Sequence, residues 1–350
     1  MKRLLLAVAL LLLMAAPALA QDDTTTLTVV AYDSFAYSED VLAQFTAETG
    51  IEVQVLRLGD TGSMVNQLIL SKDAPLGDVV YGVDNTFLGR ALAADLFIPY
   101  QSPALEGIDE SFVVDPDYRV TPVDYGDVCL NYDVAYFEEN DLAVPDSLAA
   151  LADPAYKSLL VVENPATSSP GLAFLLTTIG VYGEDEAGGY LDYWQSLVDN
   201  DVLVVDDWTT AYYSEFSGST GSDGTRPLAV SYASSPPVEV YFMETSPEAA
   251  PTGAVVADDT CFRQIEFAGI LQGTANEVAA QKFIDFLLSQ PFQEDMPLNM
   301  FVFPVNPDAA LPDVFVDFSA VPESAVLMDV DEIEANRQQW IEDWTEVVLR

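Results

Sequence analysis

Histidine is absent from this 350-residue chain, and Lys and Arg number only 12 against 57 Asp and Glu, a formal net charge of −45. Without an imidazole, a Ser-His-Asp triad, a Cys-His pair and His-ligated zinc are all excluded. With so few cations, nucleic acid is close to excluded as a partner, because one polyanion cannot release counterions from another. An anionic membrane surface is disfavoured for the same reason. No glycine-rich phosphate fingerprint exists: Gly59-Asp60-Thr61-Gly62 lacks the lysine and the spacing of a P-loop. No cluster has metal-ligand spacing, and nothing calls for a bound cofactor. Carboxylate pairs are so frequent by composition that no single pair points to acid–base catalysis. Beyond the first twenty residues, no apolar run is long enough to cross a membrane as a helix.

What is present is an export signal and a large apolar content. Lys2 and Arg3 precede the apolar run Leu4–Ala16, and Pro17-Ala18-Leu19-Ala20 supplies an A-x-A site. That pattern predicts cleavage after Ala20 and a mature chain beginning at Gln21. No Cys follows the run to carry a lipid, so the expected location is free in a periplasm. Half of the residues are hydrophobic, too many for a disordered acidic tail, and the length suits two domains. The acid excess reads first as a solvated surface and second as a field that attracts a cationic ligand. Two Cys in an exported chain invite a disulfide. Cys129 falls in an expected strand and Cys261 just before another, Arg263–Leu271, so a bridge requires those strands to be neighbours. A nucleophilic thiol would lack the His that usually activates it.

Strands and helices alternate along the chain. Leu27–Tyr32 is β-like, and Ser38 can cap a helix that ends at Gly50. Ile51–Leu56 and Asp78–Tyr81 are further strands, with a helix over Gly62–Ser71 between them and Asp84 as the cap of the next. This repetition predicts a parallel sheet wrapped by helices, with ligands beyond the C-terminal strand ends. The pattern restarts near Val123: strand Val128–Tyr132, a polar connector Tyr136–Glu139, a helix Ala143–Leu151 and strand Leu159–Val162. Ser168 or Ser169 then caps a helix with Pro170 near its first position. Helix 187–199, strands 202–205 and Leu228–Tyr232, helix Glu277–Ser289 and a last helix Asp331–Val348 complete the reading. Trp340 and Trp344 on that last helix read as core.

Binding chemistry is the remaining signal. Tyr32, Tyr37, Trp208, Tyr212, Tyr232, Phe301 and Phe303 sit at strand ends and helix starts. Aromatics in a cleft suit a flat or cationic ligand. The turn Thr167-Ser168-Ser169-Pro170-Gly171 suits an anion, because free N–H groups and the helix dipole point out of it.

These residues carry a resemblance. LTVVAYDSF (27–35), VDN (83–85), PVDYG (122–126), TSSPGL (167–172), Trp208-x-x-Ala211-Tyr212, LAVSYASSP (228–236) and ANRQQWIEDW (335–344) occur in the order seen in the periplasmic thiamine-binding proteins of bacterial ABC importers. The chain resembles that family over nearly all of its mature length. The resemblance implies an α/β fold of the type II periplasmic binding class, two lobes joined by two strand crossings with a ligand cleft between them. The implied lobes are 25–122 with 265–308, and 123–264 with 309–350. It implies a monomer that captures thiamine or its phosphates by hinge closure and delivers them to a membrane permease, not an enzyme. The implied ligand-binding residues are Tyr32, Asp60, Thr61, Ser168, Trp208, Tyr232 and Phe301, with Ser168 at the phosphate end and Trp208 against the rings.

Departures accompany the match. Phe301 stands where the family has Trp, Val238 where it has a second Tyr, and Thr61 where it has Gly. The loop after Phe35 lacks a Trp, although Tyr37 is near. A related ligand, such as a thiamine precursor, and a polyamine therefore stay open. Iron is disfavoured because Tyr232 has no adjacent Tyr partner. An enzyme resembling thiaminase I, with Cys129 as nucleophile, is the reading from a different class, and a Cys129–Cys261 bridge would end it.

Overall fold

The computed structural model describes residues 25–185, 187–243 and 247–350. The expected export signal and its cleavage site lie outside the described residues. The strands are β1 (Thr25–Ala31), β2 (Ile51–Arg57), β3 (Val79–Asp84), β4 (Phe97–Ile98), β5 (Thr121–Asp133) and β6 (Leu160–Glu163). They continue with β7 (Leu203–Val205), β8 (Leu228–Tyr232), β9 (Thr252–Val255), β10 (Phe262–Leu271) and β11 (Phe303–Pro304). Their main path runs β2-β1-β3-β10-β5-β8-β6-β7, with β4 on β10 and both β9 and β11 on β5.

The sheet has two parallel ends and an antiparallel middle. β1 pairs in parallel with β2 and β3, and β6 with β7 and β8. The long strands β5 and β10 join these ends: β10 runs antiparallel to β3 and β5, and β5 antiparallel to β8. The parallel ends follow from strand-helix-strand units, whose crossovers leave both sheet faces covered. β3, VVYGVD, is accordingly buried at every position.

Local chemistry sets several boundaries as expected. The Ser38 hydroxyl accepts from Val41 N at the start of the helix Glu39–Thr49, and Gly50 closes it in the left-handed region at φ 72°. The helix Ser169–Tyr182 starts behind Ser168 with Pro170 in its first turn. Trp340 and Trp344, on the helix Val330–Val348, are core residues, and Trp344 packs edge-on against Trp194 at 5.5 Å. That terminal helix packs against both Leu88–Ala93 and Tyr190–Asp199.

Three local expectations are corrected. The stretch expected as a polar connector forms a helix, Val134–Glu139, because the Asp133 carboxylate accepts from Tyr136 N at 3.2 Å and caps it. The expected helix over Ala143–Leu151 is reduced to a 3-10 turn, Ala149–Ala152; Pro145 holds the residue before it out of the helical region. Asp84 does not cap the next helix, which begins at Leu88. Its carboxylate instead accepts from the Thr86 backbone and hydroxyl, and from Ser169 Oγ across the molecule.

Cys129 and Cys261 are bonded, with their Cα atoms 4.4 Å apart. The strand register brings them together: Phe262 of β10 lies opposite Val128 of β5, so the flanking cysteines meet. Both are fully buried.

Candidate functional site

Five strands end at one cavity of about 500 Å³. Tyr32 and Asp33 follow β1, Asp60 and Thr61 follow β2, and Ser169 follows β6. Trp208 follows β7, and Tyr232 is the last residue of β8. The chain in these parallel units turns into helices beyond the C-terminal strand edges, which leaves side chains and helix starts facing one crevice.

Six of the seven expected binding residues line this cavity: Tyr32, Asp60, Thr61, Trp208, Tyr232 and Phe301. Ser168 does not. It is fully buried behind the wall, and the helix start brings Ser169 and Pro170 to the cavity instead. Tyr37, Tyr212 and Phe303 also lie outside the lining. Tyr37 packs on Phe35 at 5.3 Å, and Phe303 stacks on Tyr125 at 5.3 Å. Tyr212 is buried behind Trp208, their rings stacked at 5.2 Å and 16°.

Each wall residue is held from behind. The Trp208 ring is clamped between Tyr212 and an indole N–H donated to Ser231 Oγ at 3.0 Å. Its backbone N–H donates to Asp60 Oδ2 at 3.3 Å, while Asp60 Oδ1 accepts from Thr61 N at 2.8 Å. One carboxylate therefore caps the helix Thr61–Leu70 and ties it to the Trp208 loop across 148 residues. The Tyr32 ring lies so close to Gly82 that a Cβ there would meet its Cε1 at 2.1 Å; Gly82 also has φ +90°. Only glycine allows this ring position. Phe301 takes φ 54°, and its carbonyl accepts from Ser234 Oγ at 2.6 Å.

The floor is acidic. Glu266 of β10 lines the cavity and accepts from the Tyr32 hydroxyl at 2.9 Å. Asp124 behind it accepts from the Tyr81 hydroxyl at 2.5 Å. Burial pushes the Asp124 carboxyl up to about 7 and Asp60 up to about 6. Glu266 is raised well above the ordinary range, first by burial and then by the neighbouring Asp124 and Asp84. Glu163 is buried with both oxygens unpartnered, and burial raises it as well. Among the described residues the lining contains no Lys or Arg. The nearby Arg263 is spent on Asp127, with contacts of 2.6 and 3.0 Å. Desolvated carboxylates without a protein cation, below aromatic faces, favour a ligand that brings positive charge and flat rings.

Sequence reasoning missed Glu266, Tyr213, Phe242 and Met300. Glu266 left one usable signal: it is the one acid within the otherwise apolar run Ile265–Leu271. The other three are ordinary surface or core types until the fold assembles them. The possibility of a Cys129 nucleophile is closed, since its sulfur is in the disulfide and no free cysteine exists among the described residues.

Comparison with known proteins places this geometry. The model of the bacterial extracellular solute-binding protein family matches residues 74–317. The thiamine-binding periplasmic protein of Brucella suis biovar 1 (strain 1330) is 30% identical over 336 residues, covering 93% of this chain and 92% of that protein. The thiamine-binding periplasmic protein of Escherichia coli (strain K12) is 30% identical over 333 residues, covering 93% and 94%. A solved periplasmic thiamin-binding protein superposes with a TM-score of 0.79 at 28% identity, covering 93% of this chain and 96% of that one.

Proposed function

This chain belongs to the bacterial extracellular solute-binding protein family, and from that premise we propose that it captures thiamine outside the cytoplasmic membrane and hands it to an ABC-type permease. The fold is that of the two-lobed type II periplasmic binding proteins. The lobes are taken as 25–122 with 265–308, and 123–264 with 309–350. β5 and β10 are the crossings, and the cavity is the cleft.

One observation carries the reading: Trp208, Tyr232 and Tyr32 wall a cavity that holds Asp60 and Glu266 and, among the described residues, no basic one. Thiamine presents a permanent thiazolium cation and a flat aminopyrimidine. The first satisfies the carboxylates, and the second matches the ring faces. Water leaves the cavity on closure, which strengthens both attractions. A phosphorylated arm would have to lie against the helix starts at Thr61 and Ser169, where N–H groups attract it and Asp60 opposes it. The mature chain then begins at Gln21, acts as a monomer in the periplasm and carries no cofactor.

Isothermal titration of the mature protein with thiamine, thiamine monophosphate, thiamine pyrophosphate and spermidine tests this. Tight binding of a thiamine form with weak spermidine binding is the expected result. Heat with spermidine alone would reassign the site to polyamines. No heat with any thiamine form would end the thiamine reading.

A further inference from the structure

The helix Pro236–Tyr241 approaches the cavity with two residues four apart, Val238 and Phe242, the latter just past its last turn. Residues four apart lie one above the other on the same helix face. Val238 is buried and aliphatic, so it offers the ligand no ring. Phe242 lines the same cavity nearer the mouth and is 65% exposed. Among the described residues its ring makes edge or tilted aromatic contacts, to Tyr241 at 5.1 Å and to Phe301 at 6.4 Å. Phe301 also lines the cavity, beside Leu298, Met300 and Val302. A phenylalanine this exposed gains from whatever covers it, and the continuous surface beneath it is the ligand cavity.

We infer that Phe242 is a specificity-determining residue, an outer lip that lies over a ring of the bound ligand and is buried by it. This rests on the proposal that the cavity takes thiamine. The lip adjoins Phe301 at the rim, while Trp208 and Tyr232 are the aromatic residues at the strand ends. The ligand's flat ring is thereby held near the entrance by an aromatic face displaced one turn outward from Val238. Burial of most of one Phe side chain predicts that its truncation accelerates release more than it slows entry.

The test uses the full mature protein and thiamine as the probe. F242A is expected to raise Kd roughly tenfold, mainly through the dissociation rate, by the area it leaves exposed. F242W should retain wild-type affinity within about twofold, because it keeps an aromatic face at the lip. Tyr241→Ala removes an exposed neighbour, 46% accessible against 65%, that does not line the cavity, and it should leave Kd unchanged. Substitution at so exposed a position leaves folding intact, which thermal melting checks. Wild-type binding with an unchanged Kd in F242A would overturn the inference and leave the thiamine reading standing. A loss shared equally by F242A and Tyr241→Ala would overturn it as well. Failure of the wild-type protein to bind thiamine would remove both.

Discussion

The Tyr32 hydroxyl donates to Glu266 across 234 residues of chain at 2.9 Å, at the floor of the candidate cavity. This bond joins the end of the first strand to the long strand β10 and aims a carboxylate oxygen at the ligand space. It gives Glu266 one donor and no counter-charge. Glu266→Gln preserves the shape and the acceptor for Tyr32 while removing a carboxyl that burial holds toward its protonated form and that a bound cation draws into ionisation. Thiamine affinity should fall roughly tenfold, the scale of one charged interaction, with melting temperature held or raised. Equal affinity in Glu266→Gln would show that the cation sits elsewhere.

Asp60 titrates where it matters. Its carboxyl is pushed up to about 6 by burial, so the free protein is protonated there as pH falls from neutrality. A bound cation favours the ionised form, so binding releases protons. Affinity is full above the raised value and should be lost as pH drops through about 6. Stability of the free protein runs the other way. The raised native value means that the folded state holds more protons than the unfolded one between the two pKa values, so Asp60's contribution improves as pH falls through that window. Titrations between about pH 5 and 8 in buffers of different ionisation heat check the first trend, and melting curves check the second. Asp60→Asn, which can still cap the helix, should flatten the binding profile.

Trp208 is the reporter. The chain has four tryptophans, and Trp194, Trp340 and Trp344 are 1% exposed or less. Any fluorescence change on ligand binding should therefore vanish in Trp208→Phe. Trp208→Ala should weaken thiamine roughly tenfold or more through the lost ring face. A full signal remaining in Trp208→Phe would assign it to the core tryptophans and to a change in lobe packing.

The Cys129–Cys261 bridge closes a span of 132 residues between β5 and β10. The double variant Cys129→Ala/Cys261→Ala should lose about 2–5 kcal/mol of unfolding free energy in a urea titration. Dithiothreitol should lower the midpoint of the native protein only under conditions that open the strands, because both sulfurs are buried. Thiamine binding should survive in the folded double variant, since neither cysteine lines the cavity.

Much of this was legible from local signals. Excluded chemistries followed from absent residue types, because no fold can supply an imidazole that the chain lacks. The Ser38 cap, the Gly50 stop and the Ser168-Pro170 helix start each depend on a few adjacent residues, so their spacing sufficed. The strand-helix alternation announced parallel sheet and placed Tyr32, Asp60, Trp208 and Tyr232 at strand ends. Ordered motifs along the whole chain then pointed to one family.

Tertiary structure decided the rest, because it concerns residues distant in sequence. Asp84 looked like a local helix cap, but Ser169 reaches it from 85 residues away and the helix starts later. Ser168 and Ser169 are indistinguishable as letters; both are buried, but the rotation of the helix brings only Ser169 to the cavity lining, with its hydroxyl on Asp84. Val238 alone read as a missing ring, whereas the helix carries Phe242 to the same cavity one turn outward. Glu266 gains meaning only when β10 lies between β3 and β5 and its side chain meets Tyr32. Composition and local pattern thus determined the class of molecule and where its loops point. Strand register and helix rotation, which the whole core sets together, determined which side chains share the cavity.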